Sequence, residues 1–248
     1  MCELLTFVKK RYALIATGLA ILLIAVMFGF LFGQEVIIGH NDFREAPANA
    51  MPAIGDIGTE NFTQERKIVV IDPGHGADDP GCIHNSIRES DLNLAMAFRV
   101  RDYLESLGYD IILTREDDSD VSLKSRAAIA QNVNADVFIS IHHNAYEYDS
   151  SVEGLETWYN DQMNELNAGL AASIQGETAL AANAKDRGLW ISRKFILLSE
   201  HTLTMPACLV EAGFLSSTKE RERLLSPDYQ DKIAQGIVNG IVKFFGSE

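Results

Sequence analysis

The chain has 248 residues, 47% of them hydrophobic, and a formal net charge of -14. That length fits one sizeable domain with an appendage, and the apolar share excludes global disorder. The excess negative charge disfavours nucleic acid and anionic membrane surfaces as partners.

Residues 1–12 carry Lys9, Lys10 and Arg11 just before an uncharged run, "ALIATGLAILLIAVMFGFLF", at residues 13–32. About 20 apolar helical residues cross a bilayer core of about 30 Å. The basic flank predicts a cytoplasmic N-terminus, so that whatever follows lies outside the membrane. The run is longer than a signal-peptide core and no small-x-small site closes it, so it reads as an uncleaved single-pass anchor rather than a cleaved leader. Residues 33–66 carry Pro47, Pro52, Gly55 and Gly58 with no sustained period, and read as a linker. The domain proper is expected at 67–246, without internal repeats.

"KIVVI" at 67–71 predicts a strand covered on both faces. "SDLNLAMAFRVRDYLESLG" follows, with Leu92, Met96, Val100, Leu104 and Leu107 at helical spacing, Ser90 or Asp91 as the cap and Gly108 as the stop. "YDIILTR" reads as a strand and "SLKSRAAIAQNVN" as a helix capped by Ser122. "ADVFISIHHNA" and "GLETWYN" read as strands, 161–184 as a helix, and "ACLVEA" from Ala207 as a strand. "TKERERLL" and "PDYQDKIAQGIVNGIVKFF" read as two closing helices, the second with Ile233, Ile237 and Ile241 on one face. The alternation predicts an α/β domain, with a mostly parallel or mixed central sheet and helices on both faces.

Ligands gather at the carboxyl ends of strands in open α/β sheets. His75 follows the first strand inside "DPGHG", His142 and His143 end the third, and Glu211 interrupts an apolar strand. Imidazole and carboxylate are zinc donors, and a catalytic zinc takes three of them. His75 and one of His142 or His143 would supply two, and Glu89 is a candidate third. These positions are separated by 14 and 53 residues and no HExxH helix is present, so only the fold could assemble such a site. Each also has a plainer reading: His75 as a loop histidine, Glu89 as an acid placed near a helix N-terminus. Glu211 resists one, because a buried carboxylate needs a partner or a task. His40, His84 and His201 are read as non-ligands. Cys2, Cys82 and Cys208 form no CxxC pair, which excludes a cysteine-rich zinc site. Cys82 and Cys208 stand either as one disulfide or as two thiols, the second being the plainer reading.

"VVIDPGHG", "RESDLNLAMAFRVRDYLESLGYDIILTREDD", "SLKSRAAIAQNVNADVFISIHHNA" and "PACLVEAGFLSS" together resemble the zinc-dependent N-acetylmuramoyl-L-alanine amidases of the Amidase_3 family, across about Lys67 to Phe245. The single-anchor, repeat-free layout is similar to spore-cortex members of that family. The resemblance implies a zinc hydrolase cutting the amide between N-acetylmuramic acid and the L-alanine of the stem peptide. It implies His75, Glu89 and His142 as zinc ligands, Glu211 as the catalytic acid–base group, and His143 as a neighbour. Two departures stand out. Ser217 replaces the usual Asn, and the Arg found after the Val-Leu pair in many members is missing, with Arg193 or Lys194 as stand-ins. The expected partners are peptidoglycan and the membrane, and no sequence feature identifies an accessory protein. Two rival readings are a wall-binding module without activity and a zinc peptidase on the same frame.

Overall fold

The computed structural model describes residues 66–193 and 203–247. The expected anchor, the linker up to residue 65, His40, His201 and Lys194 lie outside the described residues. Among the described residues no helix is long and apolar enough to cross a membrane.

The elements run β1 (Ile68–Pro73), β2 (Ile83–His84), β3 (Ile87–Arg88), α1 (Glu89–Ser106), β4 (Asp110–Leu113), α2 (Leu123–Asn132) and β5 (Val137–Asn144). They continue β6 (Leu155–Tyr159), α3 (Asn167–Ala182), β7 (Asp186–Ile191), β8 (Ala207–Phe214), α4 (Thr218–Leu224) and α5 (Pro227–Phe245). Six strands form one sheet in the order β4-β1-β5-β8-β6-β7. The pairs from β4 to β8 are parallel, β8 and β6 are antiparallel, and β6 and β7 are parallel, so the sheet is mixed.

Alternating residues of the central strands enter two cores, which is why those strands read as continuous apolar runs. Val69, Ile71, Val137, Ile139, Ile141, Cys208 and Val210 face α1, α3 and α5, against Met96, Val100, Leu170, Ile174, Ile233, Ile237 and Ile241. Val70, Phe138 and Leu209 face the other way, toward Ala127 and Ala130 of α2 and Leu203 and Met205. On the first side α3 and α5 approach through Gly236 and Gly240. A Cβ at either would lie 2.4 Å from the Cα of Thr178 or Ile174.

Three expectations need correction, and one open pair of readings is resolved. First, α1 starts at Glu89, with Arg88 at the cap and no side-chain cap bond, so neither Ser90 nor Asp91 caps it. Second, the 161–184 helix begins only at Asn167. Asn160 and Asn164 accept bonds from the backbone N–H of Gln162 and Leu166, and these local turns hold the chain out of helix. Third, β8 runs on to Phe214, and β7 and the β2–β3 hairpin were not anticipated. Cys82 and Cys208 are free thiols, the plainer of their two readings. The Ser122 cap on α2 is as expected, its hydroxyl accepting from Ser125 N–H at 3.1 Å.

Candidate active site

The turn after β1 is clamped from below. Asp72, fully buried, accepts from Thr114 Oγ1 at 2.5 Å, Arg126 Nη1 at 2.7 Å and Ser140 Oγ at 2.7 Å. Arg126 also donates to the carbonyls of Pro73 and His75, both at 2.7 Å. Arg115 donates to the carbonyls of Pro73 at 3.0 Å, and of Gly74 and Ser90 at 2.8 Å each. Two arginines therefore hold the carbonyls on either side of His75, whose φ of 62° lies in the left-handed region. Gly74 is required there because a Cβ would lie 2.2 Å from the His142 imidazole. Gly81 is required because its φ is +64° and a Cβ would lie 2.4 Å from Glu89 Oε2.

His75 from the turn, Glu89 from the first residue of α1 and His142 from near the end of β5 converge. One donor atom from each lies within 4.8 Å of the others. Glu89 Oε1 is 3.2 Å from His75 Nε2 and 3.0 Å from His142 Nδ1. Burial works against charge on His75, but its hydrogen bonds to Glu89 and Asp79 push its pKa up to about 9. Burial likewise opposes charge on Glu89, yet bonds from His142 and His75 hold its carboxyl well below the usual range. A carboxylate facing two imidazole nitrogens at this spacing is a pocket suited to a divalent cation. Two nitrogens and one oxygen are zinc-type donors. Asp79 Oδ2 lies 2.8 Å from His75 Nδ1, an outer partner that leaves Nε2 facing the cluster.

A second layer supports Glu89. Its Oε2 accepts from Cys82 N–H at 3.0 Å, and its Oε1 from His143 N–H at 3.2 Å. Asn93, one helical turn on and fully buried, donates through Nδ2 to Glu89 Oε1 at 3.3 Å and to the Gly74 carbonyl at 3.2 Å. Its Oδ1 therefore faces His143 Nδ1, 2.7 Å away, and that nitrogen must carry the proton. Burial pushes the His143 pKa down to about 4, so the ring is neutral. His143 is thus a brace behind the cluster, as the resemblance implied.

Glu211 of β8 stands beside His142 in the parallel register and opposite Glu156 of β6. Its Oε2 is buried without a hydrogen-bond partner, and burial pushes its pKa up to about 7. Glu156 differs sharply. It accepts from Arg187 Nε at 2.6 Å, and from Asn144 Nδ2 and Trp158 Nε1 at 3.2 Å each. Of the two carboxylates, Glu156 is tied into structure and Glu211 is available for chemistry. Beside the cluster lies a cleft of about 330 Å³ lined by Gly74, His75, Asp79, Ser122, Arg126 and His142.

The remaining candidates fall outside. His84 sits in the β2–β3 hairpin, and Arg193 is exposed and paired with Asp161 at 2.7 Å. Sequence reasoning missed Asp72, Asn93, Arg115, Arg126, Glu156 and Arg187. Only Asp72 carried a signal, as a charged residue directly ending an apolar strand.

Comparison with known proteins agrees with this geometry. A family model described as Amidase_3, N-acetylmuramoyl-L-alanine amidase, matches residues 69–243. The germination-specific N-acetylmuramoyl-L-alanine amidase of Bacillus subtilis is 35% identical over 193 residues, covering 72% of this chain and 80% of that protein. The uncharacterized protein YqiI of the same organism is 36% identical over 182 residues, covering 73% and 86%. The CwlD amidase of Clostridioides difficile, solved in complex with the GerS lipoprotein, matches with a TM-score of 0.70 at 35% identity, over 74% of this chain and 100% of that one. With a turn histidine, a helix-start glutamate and a strand-end histidine gathered beside a free glutamate, and a family match over most of its length, the chain belongs to the Amidase_3 family of N-acetylmuramoyl-L-alanine amidases.

Proposed function

We propose that the chain is a zinc-dependent peptidoglycan hydrolase that cuts the amide between the lactyl group of N-acetylmuramic acid and L-alanine. The observation that carries this is the convergence of His75, Glu89 and His142 within 4.8 Å, beside a buried carboxylate with no partner. Those three residues would hold the ion, leaving a position open. Zinc, when bound, supplies Lewis acidity toward a carbonyl and lowers the pKa of water. Glu211 takes a proton from the attacking water at its unpartnered Oε2 and delivers it to the departing alanine nitrogen. Water oxygen ends on the lactyl carbonyl carbon, the C–N bond breaks, and a carboxylate and an amine leave. Asp79 holds the proton on His75 Nδ1 throughout, and the two arginines keep the turn from shifting as charge develops. The apolar run at 13–32 would tether the domain to the outer face of the cytoplasmic membrane. Relatives named as germination-specific and sporulation-specific amidases support work on spore peptidoglycan.

The test combines metal analysis with digestion of purified peptidoglycan. The expected result is one zinc per chain and new N-terminal alanine. Glu211→Ala should lower kcat by ~10²–10⁴ while zinc stays bound, and His75→Ala should lose both metal and activity. Cleavage between two amino acids would make it a peptidase. Tight binding to an unchanged wall would make it a module, and a fully active His75→Ala protein would remove the ligand assignment.

A further inference from the structure

The face of the sheet that carries His142 and Glu211 does not end at the carboxylate. Glu156 lies opposite Glu211 on β6, and Trp158, two residues on, shares its face. The Trp158 indole N–H is bonded to the buried Glu156 carboxylate at 3.2 Å, which fixes its ring. Trp190 is the register partner of Trp158 on β7, and the two rings stack at 5.3 Å between centroids and 27° between planes. Trp190 is 42% exposed. A wall thus runs from the proton-transferring group outward to a rigid aromatic surface open to solvent.

The strand order separates this wall from the cleft. The cleft lies over the ends of β1 and β5 and is lined by Asp79, Asp120, Ser122 and Arg126 together with the apolar Val121 and Leu123. The tryptophans lie over β6 and β7, with β8 and Glu211 between the two. The scissile amide has two arms, a sugar chain and a peptide, and they must leave Glu211 in different directions. A pyranose ring presents an apolar C–H face with hydroxyls at its rim, which suits an electron-rich indole face. Trp190 lies two strand spacings across from β8 and, because Trp158 pairs with Leu209, two residues along from Glu211, about 12 Å in all, which a disaccharide unit spans closely. Resting on the hydrolase reading above, we propose that Trp190, held by Trp158, is a stacking platform for the glycan strand. The sugar chain then crosses β6 and β7, and the stem peptide lies in the cleft of mixed polar and apolar lining.

The test uses the zinc-loaded full-length chain on two substrates. One is a soluble glycan strand bearing stem peptides, and the other is a single N-acetylmuramic acid bearing the same peptide. Trp190→Ala should raise KM for the strand about 5- to 10-fold with kcat little changed, and so collapse the preference for strand over single sugar. Trp190→Tyr should restore most of it. Leu180→Ala, which removes an exposed apolar side chain of α3, should leave the preference intact. An equal loss on both substrates, or an unaltered preference, overturns the platform. Calorimetric titration with a peptide-free oligosaccharide of alternating N-acetylglucosamine and N-acetylmuramic acid gives a readout without catalysis. Affinity should fall by a similar factor in Trp190→Ala, and binding of a free stem peptide weakened in its place overturns the proposal. If the wild type releases no alanine amine yet binds the oligosaccharide through Trp190, the hydrolase reading fails and the platform stands. If it hydrolyses both substrates and Trp190→Ala alters neither preference nor affinity, the platform alone fails.

Discussion

Asn93 shows how one amide organises a site without touching the reacting atoms. Its two N–H groups reach the Glu89 carboxylate and the carbonyl before His75, while its oxygen takes the His143 proton. Outer partners of this kind typically hold 10- to 100-fold of metal affinity. Asn93→Ala should therefore weaken zinc binding by about that factor, and Asn93→Asp should weaken it further by facing Glu89 with a second carboxylate. Competition with a chromophoric chelator measures both. Glu211 carries a different signature. Its folded pKa of about 7 is raised above 4.5, so its contribution to stability is full below pH 4.5 and is lost as pH rises through 7. In the metal-free protein, Glu211→Gln should match wild type near pH 4 and exceed it by on the order of 3 kcal/mol at pH 8. Denaturant titrations at the two pH values would show it, and equal stability at both would mean that Glu211 is solvated. Glu211 and the histidine pair stood out because acids and paired imidazoles at the ends of apolar strands need partners when buried, whereas His75 and Glu89 had plainer readings and were singled out only by the family resemblance. Asn93 and Glu156 did not stand out, since a polar residue on a helix or strand reads by default as surface until tertiary contacts bury it.

At the scale of elements, legibility followed burial. β1, β5 and β8 are buried on both faces and announce themselves as apolar runs. β7 is an edge strand with Leu189, Trp190 and Ile191 exposed and a glycine at φ 82°, so neither its pattern nor its composition marks a strand. The start of α3 was misplaced because 161–166 has helical composition but is held in turns by Asn160 just before it and Asn164 within it. The closest helix packing rests on the two glycines of α5. Gly240→Ala would place a methyl 2.4 Å from the Ile174 Cα, which is backbone and cannot swing aside. That variant should lose about 1–3 kcal/mol through overpacking, despite the higher helix propensity of alanine. A thermal melt unchanged or raised by it would show that α3 and α5 separate freely.

Across the whole molecule, the proposed donors come from three separate parts of the domain: the turn after β1, the start of α1 and the end of β5. An ion held there would bind the folded state only, so chelation should lower the melting temperature. At free zinc 100-fold above its dissociation constant, the linkage is about 2.7 kcal/mol. Melting curves with and without chelator test it, and His75→Ala should be insensitive to both. Coincident wild-type curves would argue against a folded-state metal site. The order of the sheet also explains why no single compact motif carries this centre, since β1 and β5 are adjacent in space but far apart in sequence. One detail of α1 reaches further. Its opening turn has no side-chain cap, and its first residue is Glu89. That turn cannot unwind without withdrawing a donor, so fraying at this terminus and residence of the cation become one equilibrium seen from two ends.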